Sequence, residues 1–116
     1  MTITKKDLFA DIPEELTDEL IGTILQTSNF RIERIVSQGH CSKEGFWYDQ
    51  SENELVILLK GSATLRFENQ DQPIKMNPCD YLHIEKHVRH RVESTDPNEE
   101  TIWLAVHYNE SQISEA

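Results

Sequence analysis

The sequence predicts an all-β protein, a β-sandwich or barrel, with one helix at its N-terminal end. Three observations indicate this fold. Short apolar segments, several of them alternating with polar residues, follow one another along most of the chain. Turn-forming residues separate these segments at intervals of about eight to twelve residues, which is typical of sandwiches and barrels. The first apolar segment alone has the spacing of a helix.

The predicted helix covers residues 12–26, IPEELTDELIGTILQ. Asp11 is suited to cap it, and Pro13 is suited to its first turn. Its apolar residues recur at the spacing of one helical face. They are Leu16, Leu20, Ile21, Ile24 and Leu25. We therefore expect residues 1–29 to form a helical extension in front of the β domain.

Seven strands are predicted after this extension. They cover residues 30–37, 54–60, 62–68, 73–76, 81–85, 89–93 and 101–108. Segment 54–60 is apolar on both faces, which is typical of a central strand. In segment 62–68, alternation places Ala63, Leu65 and Phe67 on one face. Residues 30–108 are thus expected to form the barrel, and residues 109–116 a flexible tail with almost nothing to bury.

Composition excludes several classes of function. The 116 residues predict one domain. Eleven basic residues stand against 21 acidic ones, a net charge of −10, which argues against nucleic acids and against anionic membrane surfaces. No apolar segment has the length of a spanning helix, and the N-terminus lacks a secretory leader. Cys41 and Cys79 are then expected to be free thiols, and the protein to be cytoplasmic.

Two segments carry a resemblance to a known family. Glu54 and Gly61 enclose six residues, as at the end of that family's first motif, and residues 79–94 fit the spacing of its second motif, in which His90 alone keeps its identity. The pattern resembles that of small single-domain cupins. The resemblance implies a double-stranded β-helix, or jelly roll, over residues 30–108, and a homodimer. The family's His-x-His is absent, and its place falls in the segment 47–50, WYDQ.

Glu54 and His90 are the main candidates for chemistry. Charged neighbours on either side of His90 predict that its ring points inward, and Glu54 shares a face with apolar Val56 and Leu58. The resemblance implies that both are metal ligands, with Asp49 as the third. A His with carboxylates suits Mn or Fe, with Zn or Ni as further choices. A site without any metal is the alternative.

Tyr48, Gln50 and His40 are the candidate catalytic residues, which would position a substrate or move protons. One of the consecutive aromatics Trp47 and Tyr48 is expected to line the cavity, since neighbouring strand residues point to opposite faces. His40 is expected either to cover the mouth of the cavity or to be an ordinary loop histidine.

The remaining histidines are weaker candidates. His83 and His87 are expected to face solvent. His107 is expected at the surface end of the last strand, although it shares a face with Trp103 that would contact the pocket or the second sheet. The opposite face, which carries Leu104, is interpreted as the drier one.

Three functions are compatible with these residues. The first is a metal-dependent enzyme acting on a small polar molecule, of dioxygenase, isomerase or lyase type. The second is a metal-free ligand-binding or sensor barrel, which the missing His-x-His favours. The third is a structural module. The many polar groups in segment 47–54 argue against the third, and the sequence favours the first.

Overall fold

Within residues 1–109, the part of the chain that the computed structural model describes, there are eight β-strands and no helix. The strands are β1 (Leu20–Gln26), β2 (Phe30–Ser37), β3 (Asn53–Lys60), β4 (Ala63–Phe67), β5 (Ile74–Met76), β6 (Tyr81–Ile84), β7 (His90–Thr95) and β8 (Thr101–Tyr108). All seven predicted strands are therefore present. Most of the predicted tail, residues 110–116, lies outside the described residues.

The strands form two antiparallel sheets. One has the order β1-β2-β8-β3-β6 and the other the order β5-β4-β7. The inner faces of the sheets enclose the hydrophobic core. Its buried members are Val56, Leu58, Ala63, Leu65, Phe67, Met76, Ile84 and Trp103. No helix among the described residues is long and apolar enough to cross a membrane.

The predicted N-terminal helix is wrong, and β1 occupies the second half of its segment. β1 pairs antiparallel with β2, from Leu20 opposite Val36 to Gln26 opposite Arg31. A register shift between Thr23 and Leu25 interrupts the alternation of β1. Because a bulge of this kind breaks the period of two, the apolar residues of the strand fall at spacings that resemble those of a helix. Pairing with β2 satisfies the backbone and decides between the two structures.

The segment before β1 has no helical hydrogen bonds. Side chains of the barrel bind its backbone instead. The Leu16 amide donates to Gln38 Oε1, at 2.8 Å, and the Gln38 amide group donates to the Glu14 carbonyl, at 3.1 Å. The guanidinium of Arg34 donates to the carbonyl of Ala10, at 2.6 Å. A segment without regular structure still needs partners for its backbone, and these side chains supply them.

Strand β8 lies between β2 and β3 in the five-stranded sheet, and its inner face is the better buried one. Trp103, Ala105 and His107 on that face are at most 4% exposed. Leu104 on the opposite face is only partly buried. The prediction that the Leu104 face is the drier one is wrong, and so is the surface position predicted for His107. The inner face of β8 points to the second sheet.

Gly61 and Cys79 are two of the turn residues that have a left-handed backbone. Gly61, between β3 and β4, has φ +84°, and a Cβ there would overlap Thr101 and the Glu100 carbonyl. Cys79, before β6, has φ 78° although it carries a side chain. Cys79 therefore occupies a conformation that glycine adopts at lower cost. Cys41 and Cys79 are both exposed free thiols.

Candidate functional site

A cavity of about 160 Å³ lies between the two sheets. Its lining is apolar on the side of the core and polar elsewhere. The apolar lining residues are Ile21, Ile35, Val56, Leu65, Ile84, Val92 and Trp103. The polar ones are Glu19, Arg31, Glu33, Tyr48, Gln50, Glu54, His90 and His107. This combination of apolar walls with a few charged groups is typical of ligand sites.

Glu54 and His90 face each other in this cavity from different sheets. Glu54 lies on β3 and is 8% exposed, and His90 begins β7 and is 5% exposed. The distance from His90 Nε2 to Glu54 Oε1 is 3.7 Å, which is an ion-pair distance and longer than a hydrogen bond. Both side chains therefore point inward, as the sequence predicts.

The ring of His90 is oriented from behind. Its Nδ1 lies 2.9 Å from the carbonyl of Val88, to which it donates, so Nε2 is directed to Glu54. Burial lowers the pKa of His90, but the Glu54 carboxylate and the Val88 carbonyl outweigh burial, and the pKa is raised above its usual value. The cavity thus holds an imidazole that binds a proton more tightly than a free histidine.

His107 is the second imidazole of the cavity. Its Nε2 lies 3.1 Å from Glu33 Oε1 and 3.9 Å from Glu54 Oε2. Its Nδ1 is buried and has no hydrogen-bond partner within residues 1–109. Glu54 thus stands between two imidazoles, and Glu33 beyond the second, so four titratable groups form one row along the cavity.

Segment 46–50 reaches the cavity by pairing with β7. The amide of Tyr48 donates to the carbonyl of His90, at 2.7 Å, and the amide of His90 donates back, at 3.1 Å. The Tyr48 ring stacks on the His90 imidazole, with 5.4 Å between centroids. Tyr48 and Gln50 line the cavity. Of the two neighbouring aromatics, Tyr48 is therefore the one that forms its wall.

The Tyr48 hydroxyl lies in an acidic environment. Burial is the main reason that the pKa of Tyr48 is raised, and the negative charges of Glu19 and Glu54 raise it further. Glu19, from the segment before β1, also accepts a hydrogen bond from Ser37 Oγ, at 2.6 Å. Two carboxylates therefore act on one phenol that stays protonated.

Asp49 is not brought to Glu54 and His90. Its carboxylate pairs with His87 Nδ1, at 2.8 Å, and both side chains are at least half exposed. The three predicted metal ligands are thus divided between the cavity and the surface. No group of three His, Cys, Asp or Glu side chains among residues 1–109 is arranged to hold a metal ion. The structure therefore does not bring the three predicted ligands together.

His40 does not line the cavity either. Its Nδ1 accepts a hydrogen bond from the backbone N–H of Gln38, at 2.9 Å, and its Nε2 lies 3.0 Å from the carbonyl of Thr17. With Nδ1 as the acceptor, Nε2 carries the proton and donates to that carbonyl. His40 therefore fastens the N-terminal segment to the barrel.

Several cavity residues escaped the sequence analysis. Arg31 and Glu33 share the inner face of β2 with Ile35, and all three line the cavity. Charged residues on the same strand face as a core residue were the available signal. Arg31 is held by carboxylates, with Nε 3.4 Å from Glu33 and an NH2 group 3.2 Å from Glu52. It is the only Lys or Arg among the residues that line the described cavity.

Solved structures of other proteins share the fold of this chain. No protein-family model matches the sequence, and no curated protein matches it. A solved structure from Ralstonia eutropha JMP134, described as a "putative mannose-6-phosphate isomerase", is 42% identical, with a TM-score of 0.89 over 93% of this chain and 100% of that chain. Two further solved structures, both cupins, share this fold.

A cupin superfamily protein of Desulfitobacterium hafniense DCB-2 is 19% identical, with a TM-score of 0.69 over 85% of this chain and 84% of its own. A cupin with a double-stranded β-helix fold from Methanocaldococcus jannaschii is 16% identical, with a TM-score of 0.65 over 84% and 86%. These two proteins share the fold of this chain. The Ralstonia protein shares the fold and is also similar in sequence. The resemblance found in the motifs is confirmed, and this chain forms a small cupin domain.

Proposed function

We propose that this protein binds a small polar molecule in the cavity between its two sheets. The observation that carries the proposal is the burial of Glu54, His90 and His107 in one cavity, with Glu54 and His107 on one sheet and His90 on the other. Burying a carboxylate or an imidazolium costs several kcal/mol unless a partner compensates it. Titratable groups that lie close together in a cavity are typical of binding and catalytic sites.

The row of imidazoles and carboxylates supports proton transfer without a metal ion. Glu54 would accept a proton from a bound substrate, and His90 would donate one, as general base and general acid. Tyr48, whose ring stacks on His90, and Gln50 would position the substrate. An isomerisation or an elimination needs only such transfers, whereas simple binding needs none of them. Metal-free ligand binding is therefore the core of the proposal, and acid–base catalysis is its extension.

A sugar phosphate, the substrate class named for the Ralstonia protein, is poorly supported here. A phosphate needs cationic or amide partners. Arg31 is the one guanidinium of the described lining, and Glu33 and Glu52 already hold it. The cavity volume of about 160 Å³ is also below the roughly 300–1,000 Å³ of sites for drug-sized ligands. We infer a ligand smaller than a phosphorylated sugar.

A pair of neighbouring residues on β3 allows a matched test. Val56 lines the cavity, and Ile57 follows it on the opposite face. Val56→Phe should fill the cavity, and Ile57→Phe should add a ring outside it. Small molecules extracted from each purified protein would be compared by mass spectrometry. We expect a compound in wild type and Ile57→Phe that is missing from folded Val56→Phe. Equal amounts in all three proteins would contradict the proposal.

A metal-dependent enzyme, of dioxygenase, isomerase or lyase type, is the second candidate function. One observation favours it: His90 donates Nδ1–H to a backbone carbonyl and directs Nε2 into the cavity, as metal-binding histidines do. Metal content of protein purified without chelator, beside the Glu54→Ala/His90→Ala double variant, tests this. Stoichiometric metal that disappears in the double variant would establish the second candidate.

We also propose that the protein forms a homodimer through β1, and that it is cytoplasmic. β1 is an edge strand, and its side chains Ile21, Ile24 and Leu25 are 56%, 49% and 50% exposed. An apolar edge strand favours pairing with another chain. Sedimentation should give twice the 13.5 kDa of one chain. A monomer mass at micromolar concentration would contradict the dimer.

A further inference from the structure

We propose that the ligand of the cavity is a small organic cation, an ammonium or guanidinium compound whose charged group binds at Glu54. This inference rests on the proposed binding function and adds the class of ligand. It depends on the charges that line the cavity, on the unused hydrogen-bonding capacity of Glu54, and on the aromatic walls.

The charge of the lining is negative. Three carboxylates, those of Glu19, Glu33 and Glu54, face one guanidinium, that of Arg31. Arg31 also pairs with Glu52, outside the lining, so its charge is shared between two carboxylates. With His90 protonated and His107 neutral, the three carboxylates outnumber the two cations of the lining. The excess negative charge of the lining would repel a negatively charged ligand and attract a positively charged one.

Glu54 has capacity for a new donor. It is 8% exposed, and its oxygens lie 3.7 Å from His90 Nε2 and 3.9 Å from His107 Nε2, beyond hydrogen-bond distance. An ionised carboxylate accepts up to about four hydrogen bonds. Glu19 and Glu33 differ, since Ser37 donates to Glu19 at 2.6 Å and Arg31 contacts Glu33 at 3.4 Å. Glu54 is the carboxylate at which an N–H donor gains most.

The walls beside Glu54 suit the rest of such a ligand. Tyr48 and Trp103 both line the cavity, and aromatic faces attract ammonium and guanidinium groups. Val56, Leu65 and Val92 supply apolar surface for a short alkyl group. The overall charge of −10 also raises the local concentration of cations around the molecule.

Three compounds of one shape test the inference: tert-butylammonium, tert-butanol and pivalate, which are cationic, neutral and anionic. Each would be titrated into the full-length protein, and binding followed by the NMR signal of the Trp103 indole N–H. We expect tert-butylammonium to bind about tenfold or more tightly than tert-butanol, because hydrogen bonds to charged groups are the stronger ones, and pivalate not to bind.

Glu54→Gln keeps the shape of the side chain and removes its charge. It should reduce the affinity for tert-butylammonium about tenfold and leave that for tert-butanol nearly unchanged. Glu93→Gln makes the same charge change on the exposed face of β7, where Glu93 pairs with Arg66, and should leave both affinities unchanged. An unchanged fingerprint spectrum would show that each variant is folded.

The outcomes separate the inference from the function on which it rests. If tert-butanol binds as tightly as tert-butylammonium, the cavity is a binding site and its cation preference is refuted. If Glu93→Gln weakens the cation as much as Glu54→Gln, net charge explains the effect and the site at Glu54 is refuted. Absence of cation binding also refutes it, while the Val56→Phe comparison judges the binding function separately.

Discussion

Two imidazole–carboxylate pairs in this molecule have the same chemistry and opposite surroundings. His87 and Asp49 lie 2.8 Å apart, with side chains 65% and 50% exposed. His90 and Glu54 lie 3.7 Å apart, with side chains 6% and 11% exposed. The shorter contact belongs to the surface pair. Distance alone would select the surface pair, whereas the proposed binding site contains the buried one.

The difference lies in the medium between the charges. Two unit charges 4 Å apart interact by about 1 kcal/mol in bulk water and several times more at a low effective dielectric constant. Water screens the surface pair, and either partner can turn away at little cost. Each member of the cavity pair depends on the other, or on a ligand, for compensation. We therefore expect the cavity pair, rather than the surface pair, to respond to a ligand.

The largest effect is expected from removing the buried carboxylate. Glu54→Ala removes the carboxylate that lies between the imidazoles of His90 and His107. Because a buried partner is lost, the free energy of unfolding should fall by about 3 kcal/mol. Asp49→Ala on the surface should change it by less than about 0.5 kcal/mol. Urea unfolding of both variants measures the contrast. Equal losses would remove the distinction between the two pairs.

A pH dependence of intermediate size should follow from His90. Because its pKa is raised in the folded protein, its contribution to stability is fully present below the unfolded value of about 6.5 and is lost as pH rises through the folded pKa. The free energy of unfolding should therefore decline above about pH 6.5. The decline should shrink in Glu54→Gln, which lacks the charge that raises this pKa. Identical pH profiles for both proteins would show that another group is responsible.

The smallest effect concerns the surface pair itself. A double-mutant cycle with Asp49→Asn and His87→Ala should give a coupling energy of about 0.3 kcal/mol that disappears in high salt. The variants should bind the ligand as the wild type does. A coupling above about 1 kcal/mol would mean that the pair is structurally important in spite of its exposure.

The strands were predictable because alternation and central apolar segments are local signals. β2 (Phe30–Ser37) and β8 (Thr101–Tyr108) begin and end where the sequence predicts. β1 was not predictable, because its bulge disguises the period and its identity depends on pairing with β2. Most of its side chains are exposed, so burial did not select its conformation.

The site was predictable only in part for a similar reason. Strand alternation and motif spacing placed Glu54 and His90 inside the barrel. Asp49 was assigned to the same site from the family resemblance, but the pairing of Tyr48 with His90 turns Tyr48 and Gln50 to the cavity. Glu33 and His107 reach Glu54 only through the order of the strands, which no local pattern reveals. Their roles as ligand-binding residues stay predictions.

Native mass spectrometry of gently purified wild type, Glu54→Gln and Asp49→Asn tests the central claim most directly. The claim predicts a small bound mass on the wild-type chain, reduced or lost in Glu54→Gln and kept in Asp49→Asn. A bound mass that all three proteins keep equally, or that only Asp49→Asn loses, would contradict the assignment of the buried pair as the binding site.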